Sequence, residues 1–251
     1  MSETRNPGQK HKIVSQEEWL AARKALLKKE KDAVRVRDQL SEARRELPWV
    51  KVDRIYLFDG PNGKVSLADL FAGRRQLVVY HFMFGPDWKE GCPSCSFVSD
   101  HLGGALPHLA ARDVSLAVIS RAPFNKLAAF KQRMDWKFNW VSSFGSTFNG
   151  DYHVSFTPEE IATGKIDYNF STSPYLFEEL PGISVFIKGK DGSIYRTYSA
   201  YSRGLDVLIG AHHYLDLTPL GRNEEGDGKD WVKYHDRYEE ASGPSCCQSG
   251  K

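Results

Sequence analysis

The sequence is poor in cysteine, in net charge and in long apolar runs, and each shortage excludes a class of protein. Four cysteines in 251 residues are too few for a secreted domain held together by disulfides. With 34 Lys and Arg against 32 Asp and Glu, the net charge of +2 gives no excess that would by itself attract nucleic acid or an acidic membrane surface. The most hydrophobic stretch, Leu77 to Phe84, is far shorter than the roughly 18 residues of a membrane-spanning helix.

The start of the chain and its composition indicate the compartment. Residues 1–12 are polar and charged, without the apolar middle of a secretory signal. Hydrophobic residues make up 41% and charged residues 26%, the proportions of an ordinary soluble domain, and the length suits one large domain. We therefore expect a cytoplasmic protein with neither membrane nor nucleic acid as a partner.

A long helix precedes the main domain. Ser15 and Glu18 form a capping box, and Pro48 ends the helix, so residues 15–47 are predicted to be a helical arm after a disordered tail at 1–14. We favour an arm or helical hairpin packed on its own domain, with a coiled-coil homodimer as the alternative. The apolar positions recur every seven residues: Trp19, Leu26, Ala33, Leu40 and Leu47.

The region 48–220 has the pattern of a single α/β domain, and residues 221–251 are predicted to be a C-terminal extension with a flexible tail. Two continuous apolar runs, Leu77 to Phe84 and Val114 to Ser120, are typical of strands buried on both faces of a sheet. Helices are predicted after each run, the first from about Pro93 to Arg112 with a kink or break at Gly103, Gly104 and Pro107. Trp49 to Phe58 is predicted to be an earlier strand, and Thr157 with Glu160 to cap a short helix. A short turn, Gly189 to Gly192, then joins two antiparallel strands before a closing helix at 204–214.

The residues most suggestive of chemistry are Cys92 and Cys95, in the segment Gly91-Cys92-Pro93-Ser94-Cys95. A C-x-x-C directly after a buried strand places its first sulfur at the start of a helix, where free N–H groups stabilise a thiolate. The second cysteine lies one turn on, close enough to form a disulfide with the first. The pattern predicts that Cys92 attacks a disulfide and Cys95 resolves the intermediate.

Two other interpretations of this pair are weaker. A structural zinc site needs two further ligands with their own spacing, and Cys246-Cys247 lies in a tail rich in Gly and Ser. Two unreactive buried thiols are the remaining alternative. We expect no metal, and no Gly-rich phosphate loop stands between a strand and a helix, so we expect no bound cofactor.

These residues and their order resemble the thioredoxin-like superfamily over about residues 49–214. In detail, the stretch YHFMFGPDWKEGCPSCSF and the segment Ser120-Arg121-Ala122-Pro123 are similar to a widespread family described as predicted dithiol-disulfide oxidoreductases, which also has an N-terminal helical arm. The resemblance implies a thioredoxin-like fold at 48–220, a central mixed sheet flanked by helices, and thiol-disulfide exchange with a protein or small-molecule disulfide.

The resemblance also marks two departures from better-known relatives. Thioredoxins have a cis-proline directly before the strand that faces the redox pair, whereas Pro181 lies two or three residues early, which leaves Ser184 or Ile183 at that position. The Pro and Thr that precede a peroxiredoxin's reactive cysteine are replaced by Gly85 and Lys89. A thiol peroxidase using Cys92 is therefore the second hypothesis, and a binding module without catalysis is the third.

Several residues are candidates for supporting roles. Trp88 is placed to shield the sulfur or contact a partner, with packing at the loop edge as the alternative. Lys89 would favour a thiolate at Cys92, and Glu90 or Asp87 would oppose it. His81, in the strand that leads to the motif, is either a proton relay or, as we favour, a hydrogen-bonded core histidine.

The second pair of cysteines, Cys246-Cys247, suggests one more hypothesis. A mobile vicinal pair is able to pass electrons to Cys92 and Cys95 by thiol-disulfide exchange. We favour the alternative that the pair is an accidental exposed feature of the tail, because the sequence gives no indication of reach.

Overall fold

The computed structural model describes residues 11–224 and 231–238, and it is a mixed α/β structure. Ten strands occur in the described residues: β1 (Val50–Lys51), β2 (Leu57–Gly60), β3 (Gly63–Ser66), β4 (Gln76–His81), β5 (Val114–Ser120), β6 (Asn139–Ser142), β7 (Ile166–Tyr168), β8 (Ser171–Ser173), β9 (Gly182–Lys188) and β10 (Ile194–Tyr201). The α-helices are α1 (Gln16–Glu46), α2 (Pro93–Ser99), α3 (Leu106–Ala111), α4 (Phe124–Arg133), α5 (Phe148–Asp151), α6 (Pro158–Ala162) and α7 (Gly210–Leu215). None of these helices is long and apolar enough to cross a membrane.

Eight strands form one sheet in the order β1-β10-β9-β4-β5-β6-β2-β3. At its centre β4 and β5 run parallel, while β9 is antiparallel to β4 and β10 is antiparallel to β9. The parallel crossover from β4 to β5 contains the C-x-x-C segment and α2. This strand arrangement is that of the thioredoxin-like fold, as the sequence predicts.

The central strands have a buried core on each face because their side chains alternate. Leu77 and Val79 of β4 belong to one core, with Phe148 and Tyr152 from α5 and the residue after it. Tyr80 of β4 and the following Phe82 belong to the other core. We call the second side, which also contains Cys95, the cysteine face, and the first side the opposite face.

The arm is one helix, as its capping box predicts. Ser15 accepts from Glu18 N, and the Glu18 carboxylate accepts from Ser15 N. However, α1 has no buried residue, so the favoured expectation of an arm packed on its own domain is wrong. One contact with the sheet is made near its end, where the Arg44 guanidinium lies 5.5 Å from the centre of the Tyr198 ring.

Several boundaries differ from those that the sequence predicts. The helix expected from Pro93 to Arg112 is broken near Gly103 and Gly104 into α2, a 3-10 turn and α3, at the residues expected to interrupt it. The expected closing helix is divided into a 3-10 segment, Ser202–Leu208, and α7. The hairpin of β7 and β8 was not expected, because its strands have three residues each and show no clear alternation.

Candidate active site

Cys92 and Cys95 lie at the start of α2, beyond the carboxyl end of β4. Cys92 is the residue before the first helical position, which is Pro93, and its carbonyl accepts from both Ser96 N and Ser96 Oγ at 2.9 Å. Cys95 follows one turn later. Its side chain is 1% exposed, whereas Cys92 is half-buried. The two sulfurs therefore differ in access, since solvent and a partner reach Cys92 more readily.

The two thiols interact directly. Burial and the hydrogen bond with Cys92 raise the pKa of Cys95 well above its ordinary value, and a negative charge on Cys92 raises it further. Met83 N donates to Cys95 Sγ at 3.5 Å, and this hydrogen bond lowers the pKa of Cys95. Burial holds Cys95 in its protonated form, so Cys95 is the slower of the two thiols to ionise, which suits a resolving cysteine in a dithiol mechanism.

Tyr80 is a further polar side chain beside Cys95, and nothing in the sequence distinguishes it from the other apolar and aromatic residues of its strand. It is 1% exposed, and its hydroxyl makes no hydrogen bond of ordinary geometry to any described residue. The hydroxyl nevertheless approaches Cys95 closely enough to lower the pKa of that thiol, while burial raises the pKa of Tyr80 itself well above its ordinary value. Alternation along β4 places Tyr80 on the face away from His81, but the sequence does not reveal which face α2 covers.

The loop before Cys92 is held by close packing and by hydrogen bonds. A Cβ on Gly91 would lie 2.5 Å from Phe82 Cε1 and 3.2 Å from Phe130 Cε1, so glycine is required by the approach of these rings. Lys126 Nζ donates to the carbonyls of Pro86 and Trp88 at 2.7 and 3.2 Å. These contacts limit the positions that the loop gives to Cys92.

The peptide that joins Gly91 to Cys92 is bound at both ends. Cys92 N donates to Met83 O at 3.0 Å, and Tyr234 Oη donates to Gly91 O at 2.6 Å. Tyr234 is buried and comes from the C-terminal extension, far away in the chain. In the sequence, the only signal for Tyr234 is an aromatic side chain in an otherwise polar region, which does not indicate a contact with Gly91.

Trp88 and Lys89 lie in the same loop but differ in their surroundings. Trp88 is half-buried, its indole would lie 2.9 Å from a Cβ on Gly85, and it packs against the cysteine-face core that contains Cys95. Lys89 is exposed. The structure therefore places Trp88 against the core below the motif and leaves Lys89 at the surface.

His81 and Ser184 lie on the opposite face of the sheet. His81 stacks on Phe148 and Tyr152, with ring centres 5.6 and 5.8 Å apart, and its Nε2 is 2.9 Å from Ser184 Oγ. Burial lowers the pKa of His81 to about 3, so the imidazole is neutral. The structure does not bring these two residues together with the cysteines, and it gives His81 the surroundings of a hydrogen-bonded core histidine.

Thioredoxins have a cis-proline directly before the strand that faces the redox pair. In this chain the two candidates for that position, Ile183 and Ser184, have their side chains on opposite faces of the sheet. No cis peptide bond occurs among the described residues. Ile183 pairs with Tyr80 and belongs to the cysteine-face core, whereas Ser184 pairs with Val79 and bonds to His81. Of the two residues that the sequence leaves at this position, Ile183 is the one on the same face as Cys95.

The remaining candidates are Cys246 and Cys247, which lie outside the described residues. Within the described ranges 11–224 and 231–238, no three His, Cys, Asp or Glu side chains come together as metal ligands.

A family model described as "Bacterial protein of unknown function (DUF899)" matches residues 8–238. No curated protein matches the chain. The peroxidoxin BcpB from Mycobacterium tuberculosis is similar in structure at 14% identity and a TM-score of 0.45, covering 65% of this chain and 94% of that one. A protein from Chlorobium tepidum described as "a putative Thiol:disulfide interchange protein DsbE" is similar at 13% identity and a TM-score of 0.39, covering 66% of this chain and 98% of that one.

Proposed function

The chain belongs to this family of bacterial proteins of unknown function, and we propose that it is a thiol-disulfide oxidoreductase whose redox pair is Cys92 and Cys95. The observation that carries the proposal is the pairing of an accessible thiol with a buried one a single helical turn away. The two side chains interact, and both lie beyond the carboxyl end of the central strand β4.

The reaction proceeds in two exchanges. The Cys92 thiolate attacks one sulfur of a substrate disulfide, a mixed disulfide forms, and the other substrate sulfur leaves as a thiolate. The Cys95 thiol then loses its proton and attacks Cys92 Sγ, which releases the second substrate thiolate and leaves a Cys92-Cys95 disulfide. The substrate gains two electrons and the pair loses two. One dithiol such as dithiothreitol, or two molecules of a monothiol such as glutathione, returns the pair to its reduced form and leaves as a disulfide.

The difference in burial supports these roles. A mixed disulfide needs room for the substrate at the attacking sulfur, and Cys92 is the less buried thiol. Burial is the main cause of the raised pKa of Cys95, and a hydrogen bond with Cys92 and a charge on Cys92 raise it further, so the pKa of Cys95 falls once Cys92 is in a mixed disulfide. The resolving thiol is thus activated by the first step.

The proposal includes the partners and the compartment that the sequence predicts. The substrate is a disulfide of a protein or of a small thiol, and the protein acts in the cytoplasm, without membrane or nucleic acid as a partner. A relay through Cys246-Cys247 is an addition to this scheme that peptide mapping of mixed disulfides tests directly.

Two variants of the full-length protein test the proposal. Cys92→Ser abolishes reduction of a model disulfide, whereas Cys95→Ser retains the first exchange and accumulates a mixed disulfide at Cys92, detected by intact mass and peptide mapping. A Cys92→Ser protein with undiminished turnover contradicts the assignment. Stoichiometric sulfenic acid at Cys92 after one equivalent of hydroperoxide, with no activity on disulfides, supports the peroxidase instead.

A further inference from the structure

A short C-terminal segment, residues 231–238, crosses the loop that carries Cys92; we call it the C-terminal strap. Its side chains contact α2, α4 and the loop itself. The ring of Trp231 lies 5.4 Å from that of Phe97 in α2, and His235 Nδ1 is 2.7 Å from Asp100 Oδ1 at the end of the same helix. Tyr234 packs at 5.6 Å against Phe130 of α4. The strap is therefore a built part of the site.

The first effect of the strap is on the geometry of the attacking residue. Tyr234 Oη donates to Gly91 O at 2.6 Å, while Cys92 N, at the other end of that peptide unit, donates to Met83 O. The peptide plane directly before Cys92 is thus held from two sides. Since Gly91 has no side chain to restrict its backbone, the hydroxyl of Tyr234 supplies the restraint that glycine lacks.

The second effect is on charge. Glu90 is two residues before Cys92, and an uncompensated carboxylate there opposes a thiolate. Arg237 of the strap donates to both Glu90 oxygens, at 2.5 and 3.1 Å. Arg133 of α4 donates to Glu90 Oε1 at 2.5 Å and also to both oxygens of Asp236. Two guanidinium groups therefore share one carboxylate next to the loop, and the strap supplies one of them.

The cationic groups also order the strap itself. The Arg133 guanidinium lies 4.9 Å from the centre of the Tyr234 ring and that of Arg237 lies 5.0 Å from it, on a side chain that is almost fully buried. The charge of Cys92 contributes to the raised pKa of Tyr234, after burial and Glu90. Tyr234 is thus close enough to Cys92 for the two groups to interact electrostatically.

We propose that the C-terminal strap positions and tunes the attacking thiol, with Tyr234 orienting the Gly91-Cys92 peptide and Arg237, together with Arg133, neutralising Glu90. The inference rests on the proposed function, for which Cys92 is the nucleophile. Tyr234 and Arg237 act through the loop and are positioning residues. The groups that face Cys92 are Cys95, Tyr80 and Tyr234, and the charged groups of the loop and its neighbours are Asp87, Lys89, Glu90, Lys126, Arg133, Asp236 and Arg237.

The charge effect is tested by the pH dependence of Cys92 alkylation in the reduced full-length protein, with iodoacetamide as the probe and peptide mass spectrometry to identify the site. Arg237→Gln raises the midpoint for Cys92 by about one unit, because Glu90 loses one of its two cations. The double variant Glu90→Gln/Arg237→Gln returns the midpoint to the wild-type value. A loss of structure alone is not reversed by removing the carboxylate, so the rescue distinguishes the two explanations.

The positioning effect is tested by the equilibrium of the Cys92-Cys95 disulfide with glutathione. Tyr234→Phe lowers the equilibrium constant for forming that disulfide about fivefold, the worth of one ordinary hydrogen bond. Tyr238→Phe is the matched control, because the Tyr238 hydroxyl accepts from Lys233 N within the strap, away from Gly91. It leaves the equilibrium unchanged.

Three results overturn the inference: an Arg237→Gln midpoint equal to wild type, a shift that Glu90→Gln does not reverse, or equal effects of Tyr234→Phe and Tyr238→Phe. Failure of the proposed function is recognised separately, as a wild-type protein in which Cys92 and Cys95 never form a disulfide. The alkylation profile does not depend on that disulfide and still decides whether the strap neutralises Glu90 beside Cys92.

Discussion

Tyr80 and His81 are neighbours in the chain and both are about 1% exposed, yet they belong to different parts of the molecule. Tyr80 lies beside Cys95 on the cysteine face, and His81 lies on the opposite face with Ser184. Each has one buried polar atom without a hydrogen bond among the described residues. The comparison teaches that a step of one residue along a strand changes the chemistry that a side chain can take part in.

The largest expected effect is on stability at the opposite face. His81→Ala removes a fully buried ring that stacks on Phe148 and Tyr152, which costs about 2–4 kcal/mol of unfolding free energy by analogy with other large-to-small core changes. The redox equilibrium of the cysteines is unchanged under conditions where the variant is folded. Denaturant unfolding and a glutathione titration measure the two quantities. A shifted equilibrium would show that His81 reaches the site after all.

Gly91→Ala is expected to destabilise the protein on the cysteine face. The added Cβ would overlap Phe82 and press on Phe130, and overpacking of this kind costs about 1–3 kcal/mol. Because the strain falls on the residue before Cys92, activity on a model disulfide falls as well. Gly103→Ala is the matched control, since nothing lies within 4 Å of a Cβ there. Equal effects of the two substitutions would argue against close packing at Gly91.

A pH dependence of stability is expected from His81, on the opposite face. Burial lowers the pKa of His81 to about 3, below its ordinary value of 6.5, so the unfolded chain binds more protons than the folded one between these values. Stability from this group is complete above pH 6.5 and is lost as the pH falls, by about 2 kcal/mol between pH 7 and pH 5. In His81→Phe this contribution disappears. Chemical unfolding of both proteins at several pH values measures the difference, and parallel curves would contradict it.

We expect Tyr80→Phe to change stability little and to slow the step in which Cys95 attacks the mixed disulfide at Cys92. Its hydroxyl has no hydrogen bond of ordinary geometry to lose, so the unfolding free energy changes by less than about 1 kcal/mol. The pKa of Cys95 rises further without the hydroxyl, and release from a Cys92 mixed disulfide with thionitrobenzoate slows by roughly threefold to tenfold. Release at the wild-type rate would remove Tyr80 from the site.

The smallest effect is expected in α1. Leu26 is 51% exposed and α1 has no buried residue, so Leu26→Ala changes the stability of the domain by less than about 0.5 kcal/mol. The homodimer through the arm, which is the alternative interpretation of the heptad spacing, is checked with the same variant. Analytical ultracentrifugation shows a weakened dimer if the arm pairs, and an unchanged mass otherwise.

Much of the domain could be predicted because its signals are local. The strand Val114–Ser120 has the bounds that its apolar run predicts, and the capping boxes at Ser15 and Thr157 form as expected. The hairpin of β9 and β10 follows from the short turn after Lys188. The strands β1 and β2 replace one expected strand because their pairing partners, Arg196 and Ser66 among them, come from elsewhere in the chain.

The site could be predicted less completely than the fold. The sequence identifies Cys92 and Cys95 because the motif and its position after a strand are adjacent in the chain. Tyr234 bonds to Gly91 across 143 positions, and no local pattern indicates such a contact. The position of Tyr80 beside Cys95 could be predicted only if it were known which face of the sheet α2 covers. The opposing charge of Glu90 was visible in the sequence, but the two arginines that pair with it were not.

The most direct test of the central claim is a redox titration of the full-length protein against glutathione or dithiothreitol, with alkylation and peptide mass spectrometry to locate each disulfide. The account predicts a reversible two-electron transition confined to Cys92 and Cys95, with its midpoint between those of strong reductants near −270 mV and strong oxidants near −120 mV or at one of these limits. Cys246 and Cys247 in the same digest show whether the tail exchanges with the pair. Thiols at Cys92 and Cys95 that never form a disulfide with each other at any potential would contradict the account.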